Sequence, residues 1–302
     1  MPRAQMTGRE RLLAAIRHEE PDRVPISPRY AVWFKVTYGD QPLERHLELL
    51  PHLDVMHILG DGQPNYICSY PERYELPEVT VEQAWRDDGD CRIVERVFHT
   101  PAGEIGDITR VPPAGREYGA SPNPVKIEHL VKSPDDLGAL RYLLPPLRTD
   151  FDFYHAVERT IGDRGLALVC VRSALDHQAG DARGMENLMV DYYIDRPFFD
   201  AVVGLFHERS MAVTRAALEA GVKAIFGSWY YNSLSSGWSP AIFEEVFVPQ
   251  IRAHVELTHS YGALYDYYDD GKLAGSMEMI ADCGVDVLET CTPPPVGDFD
   301  LA

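Results

Sequence analysis

Several short stretches place groups capable of acid–base or binding chemistry at the ends of apolar runs. The densest is Tyr265-Asp266-Tyr267-Tyr268-Asp269-Asp270-Gly271. Alternation along an extended segment puts Asp266 and Tyr268 on one face and Tyr265 and Tyr267 on the other. A carboxyl group in an enclosed site can hold its proton to higher pH and serve as acid or base. Asp270 precedes a glycine that lets a ligand approach the backbone. Asp270, Asp266 and Tyr268 are therefore the expected catalytic groups, while Asp269 reads as a turn residue capping the next helix.

Three further runs deliver residues in the same way. Leu166 to Val171 ends in Arg172-Ser173, with Asp176-His177 just beyond. Val222 to Phe226 leads into Ser228-Trp229-Tyr230-Tyr231-Asn232, and Val285 to Leu288 into Glu289 and Cys291. Arg172, His177, Trp229, Tyr231, Asn232 and Glu289 are the expected substrate-binding residues. The three aromatics suit either core packing or a platform for a flat substrate, and Asn232 and Ser233 beside them favour the platform. Cys291 is a soft donor, but no His-x-Cys accompanies it. The sequence holds no phosphate loop, dinucleotide fingerprint or Gly-x-Ser-x-Gly elbow.

These groups need a scaffold. Thr7-Gly8-Arg9-Glu10 is a capping box that opens a helix carrying Leu12, Leu13 and Ile16, stopped before Pro21. A short strand is expected at Val24-Pro25-Ile26, then helices over 29–38 and 43–51. Residues 91–111 are β-prone around the turn Thr100-Pro101-Ala102-Gly103 and predict a hairpin insertion. After Ser133-Pro134 strands and helices alternate: strand 166–171, a long helix 197–221, strand 222–226, a helix from Ser239-Pro240 to about 262, strand 263–268, helix 272–283 and strand 285–288. Short connections between alternating strands and helices mean a parallel sheet. The expected fold is a single α/β domain over 1–302, a (β/α)8 TIM barrel with its site at the strand C-termini and its last βα units lacking.

Composition narrows the class. The chain has 302 residues, 28 Lys+Arg against 47 Asp+Glu and a net charge of −19, which argues against nucleic acid as a partner. No apolar run suits a membrane span, and the start shows no signal-peptide pattern. Five widely spaced cysteines without a CxxC read as reduced thiols in a cytoplasm rather than a disulfide framework.

The chain resembles the uroporphyrinogen decarboxylase superfamily. The resemblance rests on Thr7 to Arg11 with Pro21-Asp22-Arg23-Val24-Pro25, on Thr100 to Glu104, and on Val131 to Leu137. Ser239-Pro240 with Pro249 and Asp282 to Leu288 extend it. It implies a TIM barrel and one of two activities: cofactor-free decarboxylation of porphyrinogen acetates, or methyl transfer involving a corrinoid protein or a thiol. The decarboxylases carry an arginine-rich stretch after the first strand; here Ser27 to Lys35 holds only Arg29 and Lys35 as basic residues. The thiol-directed methyltransferases bind zinc on His-x-Cys-Gly, where this chain reads Tyr268-Asp269-Asp270-Gly271, which implies no tightly bound zinc. The resemblance thus points to demethylation of a small methylated compound, with Asp270 at the catalytic position. The implied partners are that small molecule and a separate corrinoid protein; this chain binds no cofactor itself, and a homodimer is compatible. Decarboxylation of a polycarboxylate is the alternative.

Overall fold

The computed structural model describes residues 5–113 and 123–300; Met1 to Ala4 of the expected leaderless start lie outside them. Among the described residues nine strands form two sheets. In chain order they are β1 (Val55–Gly60), β2 (Thr80–Asp88), β3 (Cys91–Thr100), β4 (Gly103–Val111), β5 (Val125–Glu128), β6 (Gly165–Arg172), β7 (Ala224–Ser228), β8 (Leu264–Tyr268) and β9 (Val287–Glu289). The order β1-β6-β7-β8-β9 makes a five-stranded sheet whose paired neighbours are all parallel. Four of these strands match the runs read from the sequence, with boundaries moved by one or two residues. Among the described residues the sheet has five strands and does not close into a ring of eight.

The two faces of this sheet divide the core. Val169, Val171, Ile225, Tyr265 and Tyr267 face outward into the large apolar cluster built with helices Arg196–Glu219 and Val248–Ser260. Leu166, Leu168, Ala224 and Phe226 face the other way, with Met56, Ile58 and Tyr268 against them. Leu12 of the helix Gly8–Ile16 covers one end of that second face. The capping box of this helix is present: Thr7 Oγ1 accepts from the Glu10 amide and Glu10 accepts from the Thr7 amide.

Three expectations need correction. Val24-Pro25-Ile26 is not a strand; Val24 and Ile26 are solvent-exposed, and Pro25 has no N–H to give to a ladder. The sheet begins instead at β1, which pairs with β6 from Val55↔Gly165 to Gly60↔Cys170. Secondly, the insertion is more than a hairpin. β3 and β4 pair around Thr100–Gly103 as expected, but β2 and β5 flank them in a four-stranded antiparallel sheet. The helix expected over 272–283 is also shorter, Met277–Ala281. No helix among the described residues is long and apolar enough to cross a membrane.

The antiparallel sheet grips the loop that follows β1. Arg96 on β3 is fully buried and forms a two-point ion pair with Asp107 on β4, at 2.8 and 2.5 Å. Its remaining N–H groups reach the carbonyls of Tyr66, Ile67 and Ser69 at 2.8–3.0 Å. Lys126 on β5 donates to the same Asp107 carboxylate and to the Ile67 carbonyl. The planar guanidinium suits this many-point role. Removing the carboxylate would leave buried cations uncompensated, which costs about 3–5 kcal/mol. We expect Asp107→Asn to lose that much in urea unfolding; an unchanged midpoint would show that solvent reaches the cluster.

Candidate functional site

The parallel register gathers the site. Arg172 pairs with Ser228, Ser228 with Tyr268, and Tyr268 with Glu289. One row earlier on the same face lie Cys170, Phe226, Asp266 and Val287. Residues in register on a pleated sheet present their side chains to the same side, and five of these eight, Arg172, Ser228, Tyr268, Cys170 and Phe226, line one cleft at the strand C-termini. That cleft measures about 330 Å³, and Arg29, Asp176, His177, Tyr230 and Asp270 complete its wall.

Arg29 reaches it from the segment before the helix Ala31–Tyr38. Its guanidinium lies 4.3 Å from the Tyr268 ring centre and 5.4 Å from that of Phe226, with Glu289 at 3.7 Å. One cation thus spans β7, β8 and β9 by cation–π and ionic contact. Below it Asp266 is buried without a hydrogen-bond partner for either carboxylate oxygen. Burial holds its carboxyl well above the ordinary range; the Glu289 charge adds to this and Arg29 opposes it. The Tyr268 hydroxyl donates to Asp270 Oδ2 at 3.2 Å, and burial first, then the Asp270 charge, pushes the phenol up to about 12.

On the opposite wall Asp176 is buried, and desolvation raises it to about 6 against the pull of His177, Ser228 and Arg172. His177 follows in a left-handed conformation, φ 50°. Its ring stacks on Tyr230 at 5.8 Å and its Nδ1 sits 3.2 Å from Asp181 Oδ2, a contact that raises the imidazole above its usual range. Cys68, in the loop after β1, joins them: one donor atom each of Cys68, His177 and Asp181 lie within 4.8 Å of one another. These three are the residues placed to hold a metal.

A second cleft of about 390 Å³ opens beside the first, between Tyr230, Tyr231, Asp269 and Asp270. Asp270 lines both. Asp269 forms the expected turn, its Oδ1 accepting the Gly271 amide at 3.1 Å, yet it is buried and pushed up to about 7, chiefly by desolvation. Gly271 lines the second cleft, and on its other side a Cβ would lie 1.9 Å from Ser233 Oγ. The glycine is required for that close packing of the β7 and β8 loops.

Asp270, Tyr268, Arg172 and His177 therefore meet in the first cleft, Tyr231 lines the second, and Asp266 and Glu289 lie beside Arg29. Neither Asp266 nor Glu289 lines either cleft, and two further expected binding residues face away from both. Trp229 is buried on the outward face, its Nε1 donating to the Tyr265 hydroxyl at 2.9 Å and its ring stacked on Tyr267. It follows Ser228, whose position points inward, so strand alternation sends it to the helix layer. Asn232 is buried and accepts from Ser173 Oγ at 2.9 Å, tying two loops together. Reasoning from sequence named Tyr230 only within the aromatic run offered as a platform, and assigned no role in the site to Arg29, Cys68 or Asp181. Tyr230 carried a signal, since it stands two residues after inward-facing Ser228; the others are brought in by tertiary contacts.

No protein-family model matches this chain, and no curated protein matches it. Among solved structures it is similar to a methyltransferase from Methanosarcina mazei, with a TM-score of 0.55 and 14% identity over 94% of this chain and 75% of that one. At that identity the likeness is one of fold: a methyltransferase-like arrangement of strands and helices.

Asp269 makes the pH dependence of stability a test of this geometry. Its raised pKa means that the folded state holds a proton the unfolded state releases near pH 4. Stability is therefore greatest below that value and is lost as pH rises towards 7. Asp269→Asn removes the penalty. At pH 8 it should be more stable than the parent by roughly 2–4 kcal/mol, with the gap closing by about pH 4. Denaturation midpoints across that range check this; parallel profiles would mean that Asp269 is solvated.

Proposed function

We propose that this chain is a methyltransferase of the uroporphyrinogen decarboxylase superfamily. It would move a methyl group from a small methylated compound to a corrinoid carried by a partner protein. The observation that carries this reading is the position of Asp270. It stands at the junction of the two clefts, one oxygen engaged by the Tyr268 hydroxyl and flanked by the Tyr230 and Tyr231 rings. A flat methylated ring seated against Tyr230 would bring its heteroatom to Asp270. The bond from the methyl carbon to that heteroatom breaks, the electron pair stays on the heteroatom, and Asp270 delivers the proton. Tyr268 orients the carboxyl, and Arg29 and Arg172 fix a polar substituent. The corrinoid supplies the nucleophile when its protein docks.

Arg29 and Arg172 in one cleft favour a second reading, decarboxylation of a polycarboxylate. Against it, the cleft pairs these two cations with Asp176, Asp270 and the neighbouring Glu289, so the wall as a whole is not basic.

With methoxylated aromatic donors and reduced cobalamin as acceptor, Asp270→Asn should lower the rate of methylcobalamin formation by about 10²–10⁴. Its melting temperature should stay near that of the parent. Retained turnover, or unfolding of the variant, would make Asp270 a structural turn residue. Carbon dioxide release from a polycarboxylate, abolished by Arg29→Ala, would establish the second reading instead.

A further inference from the structure

We propose that Cys68, His177 and Asp181 form a zinc site of three protein ligands, with a fourth position turned to the cleft. The proposal rests on the geometry of two loops and does not depend on methyl transfer.

β1 and β6 are parallel neighbours, so the loops leaving their C-terminal ends meet. The first brings a thiol, the second an imidazole and a carboxylate, with the donor atoms within 4.8 Å of one another. On a tetrahedral zinc, with Zn–S about 2.3 Å and Zn–N or Zn–O about 2.0–2.1 Å, ligand atoms lie roughly 3.4–3.6 Å apart. His177 Nδ1 and Asp181 Oδ2, at 3.2 Å, already stand at that spacing, and the Cys68 sulfur lies within 4.8 Å of a donor atom of each residue. Sulfur, nitrogen and oxygen together suit zinc better than magnesium or calcium, which take oxygen alone. A thiolate and a carboxylate also balance the charge of a divalent ion.

The surroundings hold the three ligands in place. Asn65 accepts the Ile67 and Cys68 amides on Oδ1, at 2.9 and 3.3 Å, and donates from Nδ2 to the His177 carbonyl at 3.2 Å. One side chain thereby locks the Cys68 loop to the His177 loop. Arg96 and Lys126 pin the carbonyls on either side of Cys68. With Nδ1 on the metal, His177 Nε2 lies 3.8 Å from Asp176 Oδ1, an ionic contact rather than a hydrogen bond. Among the described residues the thiol's contact is Ser69 Oγ at 4.0 Å, too long to compete with a metal ion. The His177 and Asp181 side chains are 34% and 16% exposed, so an ion can enter and keep a water or substrate atom as fourth ligand.

These positions differ from Tyr268 and Asp270, where the resemblance implies no zinc, and from the soft donor Cys291. The test is metal content of the full chain. After incubation with zinc chloride and gel filtration, elemental analysis should give about one zinc per chain, and less than about a tenth of that in Cys68→Ser and in His177→Ala. Cys291→Ser should keep its zinc. Asn65→Ala, which alters a positioning residue, should weaken zinc in a chelator competition by about 10–100-fold. Cobalt substituted for zinc should show a thiolate-to-metal charge-transfer band in the parent protein. That readout holds even if a variant fails to fold, and circular dichroism of the metal-free variants identifies that case. Absence of stoichiometric zinc in the parent, zinc retained in both ligand variants, or cobalt binding without the charge-transfer band would each overturn the assignment.

Discussion

The Arg96–Asp107 pair is the constraint on which the site depends. A guanidinium withdrawn from water is costly unless every N–H finds an acceptor. Here Asp107 takes two contacts and the Tyr66, Ile67 and Ser69 carbonyls take the others. The carbonyls are as bound as the cation. They belong to the loop leaving β1, so satisfying Arg96 fixes where that loop runs. The antiparallel sheet, which lies outside the parallel one, thereby positions one wall of the strand-end region. The rings of Tyr70 and Phe98 on Arg96, at 4.6 and 5.1 Å, keep water away and make the arrangement hard to relax.

The cleft has an electrostatic character that the −19 net charge does not by itself convey. Burial raises Asp176, Asp266 and Asp269 alike, so several carboxyl groups near the strand ends keep protons that a solvated aspartate would release. Cations are few: Arg29 from the N-terminal segment and Arg172 from β6. Such a site offers proton donors beside two anchoring charges. It differs from one that grips many carboxylates, which would need cations in excess to repay their desolvation.

Much of this was legible in the sequence where the signal is local. The apolar runs of β6 to β8, the capping box at Thr7 and the turn at Thr100–Gly103 each rest on a few adjacent residues. The alternation of Asp266 and Tyr268 against Tyr265 and Tyr267 follows from the two-residue period of a strand, and the two core faces divide those residues as expected. Carried one strand over, the same rule would have sent Trp229 outward and Tyr230 inward. β1 was hidden because His57 interrupts its apolar run, while the more apolar Val24-Pro25-Ile26 lacks a donor and lies exposed. Cys68 with His177, and Arg29 with Tyr268, are pairings that no local pattern encodes. They exist because β1 lies beside β6 and because the N-terminal segment crosses to β8.

Backbone strain follows the same geography. Among the described residues five non-glycine positions have positive φ: His18, Glu78, His177, Tyr231 and Thr290. Three of them, His177, Tyr231 and Thr290, come within a few residues of the ends of β6, β7 and β9. Each costs of order 1–3 kcal/mol and persists only where the surroundings over-determine it. At His177 the surroundings are Asn65 on its carbonyl, Asp181 on its ring nitrogen and Tyr230 on its face. At Tyr231 they are Trp238 Nε1 donating to its carbonyl and the tilted Tyr230 ring. A chain leaving a parallel strand must turn out towards the helix layer, and an extended or helical exit would carry these rings away from the strand ends. The left-handed residue keeps the ring over the cleft while the backbone departs. Stability has been given up at the C-terminal face of the sheet, where the acidic groups, the arginines and the Cys68–His177–Asp181 cluster also gather, and packing alone supplies no reason for spending it there.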